Sequence, residues 1–373
     1  MQRQARLIQI QQEREGLIEG QSKIIAHPPN AETLLSGEVI PVLALTDLVG
    51  EINVGDSIRI ECSALAKSLG TGGFATVISS ATLPGDKVPQ RGHIMKARYT
   101  PHQTMVLSVE ELDSPYRKQM ELADDLHSMP VVVADLHSAL APILLGSKAT
   151  QSSLRIAYIH DDSAALPAAF SNLVSTLRKE GYLSATITCG QAFGGDLEAV
   201  SLPSGLLAAR HVVNADVCIV APGPGVAGTG TKWGFSGTAT ATALNVASAL
   251  GGIPIAAVRG SNADARGKHR GISHHSLSVL SRLVLASVDI PLPRIENDLA
   301  SQVGIDTQIL QLVDQQLTTV SGKHSIIPIP AKPLWLHLQQ HSHLLSTMGR
   351  GLETDPLAFL LAAASGAYAA SAI

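Results

Sequence analysis

The sequence predicts an α/β protein in two parts: a Rossmann-like domain built on a parallel sheet, and a smaller β-rich domain before it. Short apolar or alternating runs, punctuated by glycine, occupy the first 110 residues. From residue 154, strand-like runs alternate with helix-like segments, the pattern of a parallel sheet with helical crossovers. We therefore assign residues 1–110 to a barrel or sandwich. Residues 111–373 form the Rossmann-like domain, with C-terminal helices packing back onto it.

The β-rich domain is predicted from residues 34–45 and 51–62, which contain short apolar or alternating runs. Repeated short strands with glycine turns are typical of small barrels and sandwiches. Such a domain could bind a partner or build an oligomer, and a purely structural support is the other interpretation.

Two further segments are expected to be helical. Residues 114–145 carry leucines at helical spacing, namely Leu122, Leu126, Leu136, Leu140 and Leu144. Residues 356–373 carry no charge and are nearly long enough to span a bilayer. Because this segment is rich in alanine, serine and glycine, a buried C-terminal helix is the preferred interpretation over a membrane anchor.

Four strands of the parallel sheet are predicted from short apolar runs. They cover residues 154–159, 185–189, 216–221 and 253–259, and a helix-like segment follows each. In a parallel sheet, the loops that leave the strands all lie at the carboxyl edge, where ligands bind. We expect four polar or glycine-rich loops to converge there: Asp161 and Asp162, Asp196 and Glu198, residues 223–232, and residues 264–275.

The loop after the third strand is dense in glycine. Its glycines permit positive φ, and their N–H groups, with nearby hydroxyls and a lysine, could line an anion site. The candidate ligand-binding residues are Gly223, Gly225, Gly228, Thr229, Gly230, Thr231 and Lys232. The loop lacks the acidic partner of a dinucleotide site and the Gly-Lys-Ser/Thr order of a phosphate loop. Binding of phosphate or carboxylate and a tight structural turn both remain open.

The loop after the fourth strand is dense in charge and imidazole. Arg266 and Arg270 could clamp a phosphate or carboxylate as forks. Adjacent histidines are not expected to point the same way on a helix, so one of His274 and His275 would reach the cleft while the other packs or caps. The candidate catalytic residues are His274 and His275, oriented by Asp264 or Asp196. Histidine with aspartate could instead bind a divalent metal, but without a metal-ligand spacing we assign no metal ligand.

Composition limits the classes of partner. The 373-residue chain has a formal charge of −4, which gives no general attraction to nucleic acid or acidic membranes. Its three cysteines are far apart in sequence and resemble core residues of a reducing compartment. The first residues lack the apolar stretch of a signal peptide. These features predict a cytoplasmic protein. The loops described above predict a small anionic molecule as its partner; a homo-oligomeric assembly is left open, and the cofactor is unknown.

Several stretches resemble an uncharacterised bacterial family, one of the domains of unknown function. They are Gly92-His-Ile-Met-Lys-Ala-Arg-Tyr-Thr-Pro101, Ala192-Phe-Gly-Gly-Asp-Leu-Glu-Ala199, Gly223-Pro-Gly-Val-Ala-Gly-Thr-Gly-Thr231, Gly234-Phe-Ser-Gly237 and residues 266–275. The resemblance covers nearly the whole chain and implies no established activity. In the family pattern a histidine stands where this chain has Gln191, so chemistry that requires that histidine is in doubt here.

The sequence therefore favours an enzyme acting on a small anionic molecule, phosphorylated or nucleotide-like, at the carboxyl edge of the sheet. One alternative is a non-catalytic protein that binds a metabolite at the same edge or serves as an oligomeric scaffold. The other alternative is a metal-dependent hydrolase.

Overall fold

Five strands near the start of the chain close into a barrel in the computed structural model, which describes residues 1–69, 72–81 and 91–373. The strands are β1 (Gln2–Arg14), β2 (Leu17–Ala26), β3 (Val39–Leu45), β4 (Ser57–Glu61) and β5 (Ala75–Ser80). Their order around the barrel is β1-β2-β3-β5-β4, with β3 and β5 parallel and β1 closing against β4. This is the order of an OB-type Greek-key barrel, and closure leaves no free sheet edge.

The barrel forms because side chains alternate between its inside and its outside. In β1, Arg3, Ala5 and Leu7 are buried while Gln2, Gln4 and Arg6 are exposed. The remaining elements of this unit, Met1–Leu107, are α1 (Thr46–Val49), α2 (Ser63–Ala66), β6 (Ile94–Lys96) and β7 (Thr104–Val106). The predicted β-rich part is confirmed, and it is a barrel.

The second unit, Ser108–Ile373, is built on eight parallel strands with helical connections. The strands are β8 (Pro130–Ala134), β9 (Ile156–Asp161), β10 (Ala185–Cys189), β11 (Leu197–Ala199), β12 (Val217–Pro222), β13 (Ile253–Ala257), β16 (Asp289–Arg294) and β17 (Ser325–Pro330). Short two-residue ladders are β14 (Gly260–Ser261) with β15 (Gly271–Ile272), and β18 (Ser346–Thr347) with β19 (Arg350–Gly351). The predicted Rossmann-like α/β class is confirmed.

Ten helices are described in this unit. They are α3 (Arg117–Leu122), α4 (Leu140–Thr150), α5 (Asn172–Lys179), α6 (Leu202–His211), α7 (Ala239–Ala249), α8 (His274–Arg282), α9 (Asn297–Val303), α10 (Thr307–Leu317), α11 (Ala331–Gln340) and α12 (Pro356–Ser371). Serine side chains cap several of them: Ser171 accepts from Val174 N at the start of α5, and Ser201 accepts from Ser204 N at the start of α6.

The prediction of continuous helix over residues 114–145 is wrong, because a central strand, β8, lies within it. The segment Val131-Val-Val133 is β-branched, fully buried and flanked on both sides by neighbouring strands. A run of β-branched residues packs well in a buried parallel sheet and poorly in a helix. The leucines at helical spacing belong to different elements: Leu122 ends α3, Leu126 lies in the loop before β8, and Leu140 begins α4.

The order of the strands creates a crevice between β8 and β13. The sheet runs β11-β10-β9-β12-β8-β13-β16-β17, so the chain leaving β8 turns towards β9 while the chain leaving β13 turns towards β16. Connections that leave two neighbouring strands in opposite directions open a crevice at their carboxyl ends, and ligands of open α/β sheets bind there. Asp135 follows β8 at this point and Val258 follows β13.

The C-terminal helix α12 is buried against α4. Glycines make this close approach possible: a Cβ added at Gly366 would lie 1.7 Å from Ile143 O, and one added at Gly146 would lie 2.0 Å from Ala363 O. Across residues 1–69, 72–81 and 91–373, no helix has both the length and the apolar character to cross a membrane.

Candidate functional site at the carboxyl edge of the sheet

Three histidines converge at the start of α8. His269, His274 and His275 each offer one ring nitrogen, and the three nitrogens lie within 4.8 Å of one another. The ring centroids of His274 and His275 are 4.2 Å apart, and each lies 5.1 Å from that of His269. The expectation that His274 and His275 would point in different directions is wrong. They occupy the first two positions of α8, and their ring planes are tilted by 34° to each other.

Ser273 organises this cluster. Its hydroxyl caps α8 by accepting a hydrogen bond from His275 N at 3.3 Å, and it lies 2.8 Å from His269 Nδ1. His269 stands at the end of a short 3₁₀ turn, Gly267–His269, and is only 2% exposed. One serine therefore fixes both the helix that carries two of the imidazoles and the orientation of the third.

The glycine-rich loop after β12 reaches the same place. Phe235, near the end of that loop, stacks on His275 with 3.8 Å between ring centroids and 4° between ring planes. Stacked rings bury apolar area and restrict each other's orientation. The loops after β12 and β13 thus meet at one edge of the sheet, as the sequence predicts for these two of the four loops.

The histidines are held in the neutral form. Burial lowers the pKa of His269 to about 4 and that of His275 to about 3, and nearby cationic side chains, Arg259 among them, lower both pKa values further. Burial also lowers the pKa of His274. A histidine with so low a pKa is a poor proton shuttle near neutral pH, where an imidazole pKa close to the working pH serves best. It is, however, in the form that binds metals.

A divalent metal fits this set of donors. At Zn–N distances of about 2.1 Å, tetrahedral nitrogens lie roughly 3.4 Å apart, so small side-chain rotations would bring the three rings onto an ion. Neighbouring cations, among them Arg259 and Lys268, repel a metal ion, so binding here requires that coordination by the three imidazole nitrogens outweigh this repulsion.

A cleft opens beside the cluster, at the crevice between β8 and β13. It contains about 520 Å³ of empty space, partly open to solvent, between residues 135–142, residues 257–264 and the β18–β19 turn. Asp135, 9% exposed, borders this cleft and also a second cavity of about 310 Å³, which His275 lines. Burial raises the pKa of the Asp135 carboxyl, and the charge of Arg259 opposes the increase.

Two arginines, Arg259 and Arg350, line this cleft. Arg259 lies two residues after β13, and its backbone N donates to Ser276 Oγ at 3.0 Å. Its guanidinium makes no hydrogen bond or salt bridge with any residue that the structure describes. A partly buried arginine without a carboxylate partner can bind a carboxylate or phosphate in a two-pronged hydrogen-bond geometry.

Asp264 and Arg266, two of the predicted site residues, are paired with each other. Arg266 donates to Asp264 through its backbone N and its guanidinium at 2.8–3.0 Å. These hydrogen bonds hold the pKa of the Asp264 carboxyl well below its usual range. Asp264 therefore does not orient His274 or His275 by a hydrogen bond.

A buried hydrogen-bond network around Asp355 fixes the start of the loop that contains Asp264 and Arg266. Asp355 is fully buried and accepts hydrogen bonds from Ser261 Oγ at 2.7 Å, Asn262 N at 3.0 Å and Arg350 Nε at 2.9 Å. Arg350 also lies 3.7 Å from Asp264. The network ties the start of the loop to the start of α12.

The glycine-rich loop does not form an open anion nest. It folds into a small hairpin in which Thr229 N donates to Gly234 O and Gly234 N donates to Thr231 Oγ1. The two threonine hydroxyls lie 2.9 Å apart, bonded to each other. Lys232 is exposed and lies over the ring of Trp233, and Arg270 is exposed as well.

The glycines of this loop serve different purposes. Gly225 and Gly230 have positive φ, at +93° and +81°, while Gly228 pairs with Phe235 across the hairpin. A Cβ at Gly223 would lie 2.4 Å from His160 Nε2, so this glycine allows close packing. Each of these glycines thus has a structural role in the loop.

The other acidic candidates lie apart from the histidines. Asp196 bonds Arg178 and accepts from Thr186 N at 2.8 Å, which places it at the amino end of β10. It stands before β11, not directly after β10, so the expected convergence on the carboxyl edge is wrong for this residue. Asp161 binds Ser163, and Asp162 accepts from Gln191 N at 3.3 Å. These two serve the loops of β9 and β10. Glu198, the fourth acidic candidate, accepts from Gly194 N at 2.7 Å.

The family of the chain follows from a match over most of its length. The family described as "Protein of unknown function (DUF3866)" matches residues 42–366. The chain belongs to the DUF3866 family. No curated protein and no solved structure matches it.

In this DUF3866 member, both residues of the stacked pair, Phe235 and His275, lie within the matched residues 42–366.

A second group of histidines in the DUF3866 chain, His137 and His160, is held by contacts with loop residues, although His160 Nδ1 is buried without a hydrogen-bond partner among the described residues. His137 Nδ1 lies 2.9 Å from Pro222 O and its Nε2 lies 2.6 Å from Ser171 Oγ. His160 Nε2 lies 2.7 Å from Ala165 O. Tyr158 OH donates to Pro222 O at 3.2 Å. These contacts join the loops after β8, β9 and β12, which is a structural role.

Sequence reasoning missed three residues of the site: Asp135, Arg259 and His269. Asp135 directly follows β8 and Arg259 lies two residues after β13, and the available signal for Arg259 was its place at the end of the predicted strand over residues 253–259. Asp135 was hidden because β8 was taken for helix. His269 lies five residues before His274, a spacing that becomes a contact only because the chain turns at Gly271 (φ +66°).

Proposed function

We propose that the chain is an enzyme acting on a small anionic molecule, phosphorylated or nucleotide-like, that binds in the cleft between β8 and β13. The observation that carries this proposal is the guanidinium of Arg259, which lies in that cleft without a carboxylate partner among the described residues. A cation held in a partly buried cleft favours an anionic ligand. Arg259 takes the role that the sequence suggested for Lys232, Arg266 and Arg270.

The place of the cleft supports a small-molecule ligand. It opens at the carboxyl ends of β8 and β13, where open α/β sheets bind their ligands. Asp135 supplies a proton-transfer group, and burial raises the pKa of its carboxyl above the ordinary value. Arg259 would therefore bind the anionic group while Asp135 acts on the neighbouring bond.

The first test is a thermal-shift panel of nucleotides, sugar phosphates and coenzyme A esters with the full chain. A ligand that binds only the folded state raises the melting temperature by mass action, by about 2.7 kcal/mol of stability at 100 times its Kd. Arg259→Ala should weaken binding by roughly 30-fold or more, because a two-pronged charged contact is lost. Arg282→Ala, which removes an exposed arginine at the end of α8, is the matched control and should bind normally.

Turnover separates an enzyme from a metabolite-binding protein. With the ligand found in the panel, Asp135→Asn should keep binding and lose turnover, whereas a non-catalytic protein would show no turnover in its natural sequence. An anion that stabilises Arg259→Ala as strongly as the natural chain would overturn the assignment of the cleft. No stabilisation by any anion of the panel would overturn the proposed ligand class.

A further inference from the structure

We propose that His269, His274 and His275 bind one divalent transition-metal ion of the zinc class through three imidazole nitrogens, with a coordination position left open. Three ring nitrogens from two turns of the chain lie within 4.8 Å of one another. Imidazole is a preferred ligand of zinc and its neighbours in the first transition series. Metal binding by these residues does not depend on the activity proposed above.

Two ring nitrogens of the cluster have no hydrogen-bond partner among the described residues. His274 Nδ1 and His275 Nδ1 are buried, and neither has a hydrogen-bond partner among the residues that the structure describes. Buried ring nitrogens are normally hydrogen-bonded or bound to metal. Packing alone gives no reason to bring three imidazoles together with these nitrogens unsatisfied, whereas a shared cation gives one.

The surroundings hold the rings as a metal site requires. The hydroxyl of Ser273 is in hydrogen-bond contact with His269 Nδ1, which leaves Nε2 of that ring available when Nδ1 carries the proton. Phe235 fixes the plane of His275 by stacking. Outer contacts of this kind set the orientation and tautomer of histidine ligands in metal proteins.

Three protein ligands are the number found in catalytic zinc sites, where water or substrate takes the fourth position; structural sites are closed by four. His274 is partly exposed, so solvent can reach the cluster, and His275 borders the cavity that also contains Asp135. A metal here would supply a Lewis acid beside the cleft. It would act on an oxygen of the bound molecule or of water.

Cobalt(II) is the probe, because tetrahedral Co²⁺ absorbs strongly in the visible range and octahedral Co²⁺ only weakly. The full chain, stripped of metal with a chelator, is titrated with Co²⁺ while absorbance and metal content are measured. We expect one Co²⁺ per chain and the strong tetrahedral band. His274→Ala should abolish the band and weaken binding by 100-fold or more, and His343→Ala, at an exposed histidine, should change neither.

Ser273→Ala keeps all three ligands and removes the contact to His269 together with the cap on α8, so the band should remain while affinity falls by about 10- to 100-fold. This variant keeps the proposal testable if His274→Ala does not fold. The weak octahedral spectrum in the natural chain, a band that survives in His274→Ala, or unchanged affinity in Ser273→Ala would each overturn the proposal. This experiment measures metal binding alone, so a negative result would not contradict the proposed anion site. Loss of anion binding in Arg259→Ala would likewise not contradict the proposed metal site.

Discussion

Phe235 and His275 lie ring on ring, 3.8 Å between centroids and 4° from parallel, although 40 positions separate them in sequence. Phe235 ends the hairpin after β12, and His275 begins the helix after β13. The contact brings the two most unusual loops of the chain to one place. It also holds one imidazole of the histidine cluster in a fixed plane.

The stack should contribute measurably to stability. Phe235 is 5% exposed, so Phe235→Ala should lower the free energy of unfolding by about 3–5 kcal/mol. Phe235→Leu keeps most of the volume and should cost no more than about 1–2 kcal/mol. Urea denaturation of the two variants measures this difference. Equal, small losses in both would show that the stack contributes little.

The buried carboxylate Asp355 should be essential for the fold of the loop after β13. Asp355→Ala leaves Arg350 and two other donors without their acceptor, and breaking a buried ion pair costs about 3–5 kcal/mol. Glu353→Ala, two residues away and exposed, should change stability by less than about 0.5 kcal/mol. Thermal and urea denaturation provide the comparison. Matching stabilities for the two variants would contradict the assigned network.

The contact between α4 and α12 should tolerate no side chain at Gly366. A Cβ there would stand 1.7 Å from a backbone oxygen, so Gly366→Ala should lower the free energy of unfolding by about 3 kcal/mol or more. Gly322→Ala is the control, because a Cβ at Gly322 meets nothing within 4 Å. A melting temperature of Gly366→Ala equal to that of the natural chain would contradict the close packing of α4 and α12.

The buried histidine His137 should make stability depend on pH. Burial, with a smaller effect of His160, lowers its pKa to about 4 from the ordinary 6.5. Between these values the unfolded chain binds a proton that the folded chain does not. The contribution of His137 to the free energy of unfolding is therefore fully present above pH 6.5. It is lost, on the order of 3 kcal/mol in total, as the pH decreases to about 4.

His137→Gln removes this titration. Unfolding free energies measured between pH 7 and pH 4 should show a shallower slope for His137→Gln than for the natural chain. Other buried histidines still titrate, so some slope should remain. The exposed His343→Gln should keep the full slope. Parallel slopes for the natural chain and His137→Gln would show that His137 does not titrate in this range.

The fold was predictable where the hydrophobic pattern is regular. β10 was placed with its observed bounds, and the strands of residues 154–159 and 216–221 correspond to β9 and β12 within two residues. β8 was not found, because its apolar run is short and lies between leucines that fit a helical period. Short buried strands and buried helix segments share the same composition.

The site was predictable by residue type but not by geometry. His274 and His275 stand out in the sequence, yet their contact with His269 depends on the turn at Gly271 and on the cap at Ser273. Arg259 and Asp135 become neighbours only through the strand order, which places β13 beside β8. Asp196 looked similar in sequence and lies at the other end of β10.

The most direct measurement of the central claim is a crystal structure of the full chain with the anion that stabilises it most. The claim predicts electron density for the anionic group at the guanidinium of Arg259, between the carboxyl ends of β8 and β13. Density at the exposed hairpin of Lys232, or at the exposed Arg270, would contradict it, because the anion would then bind outside the cleft.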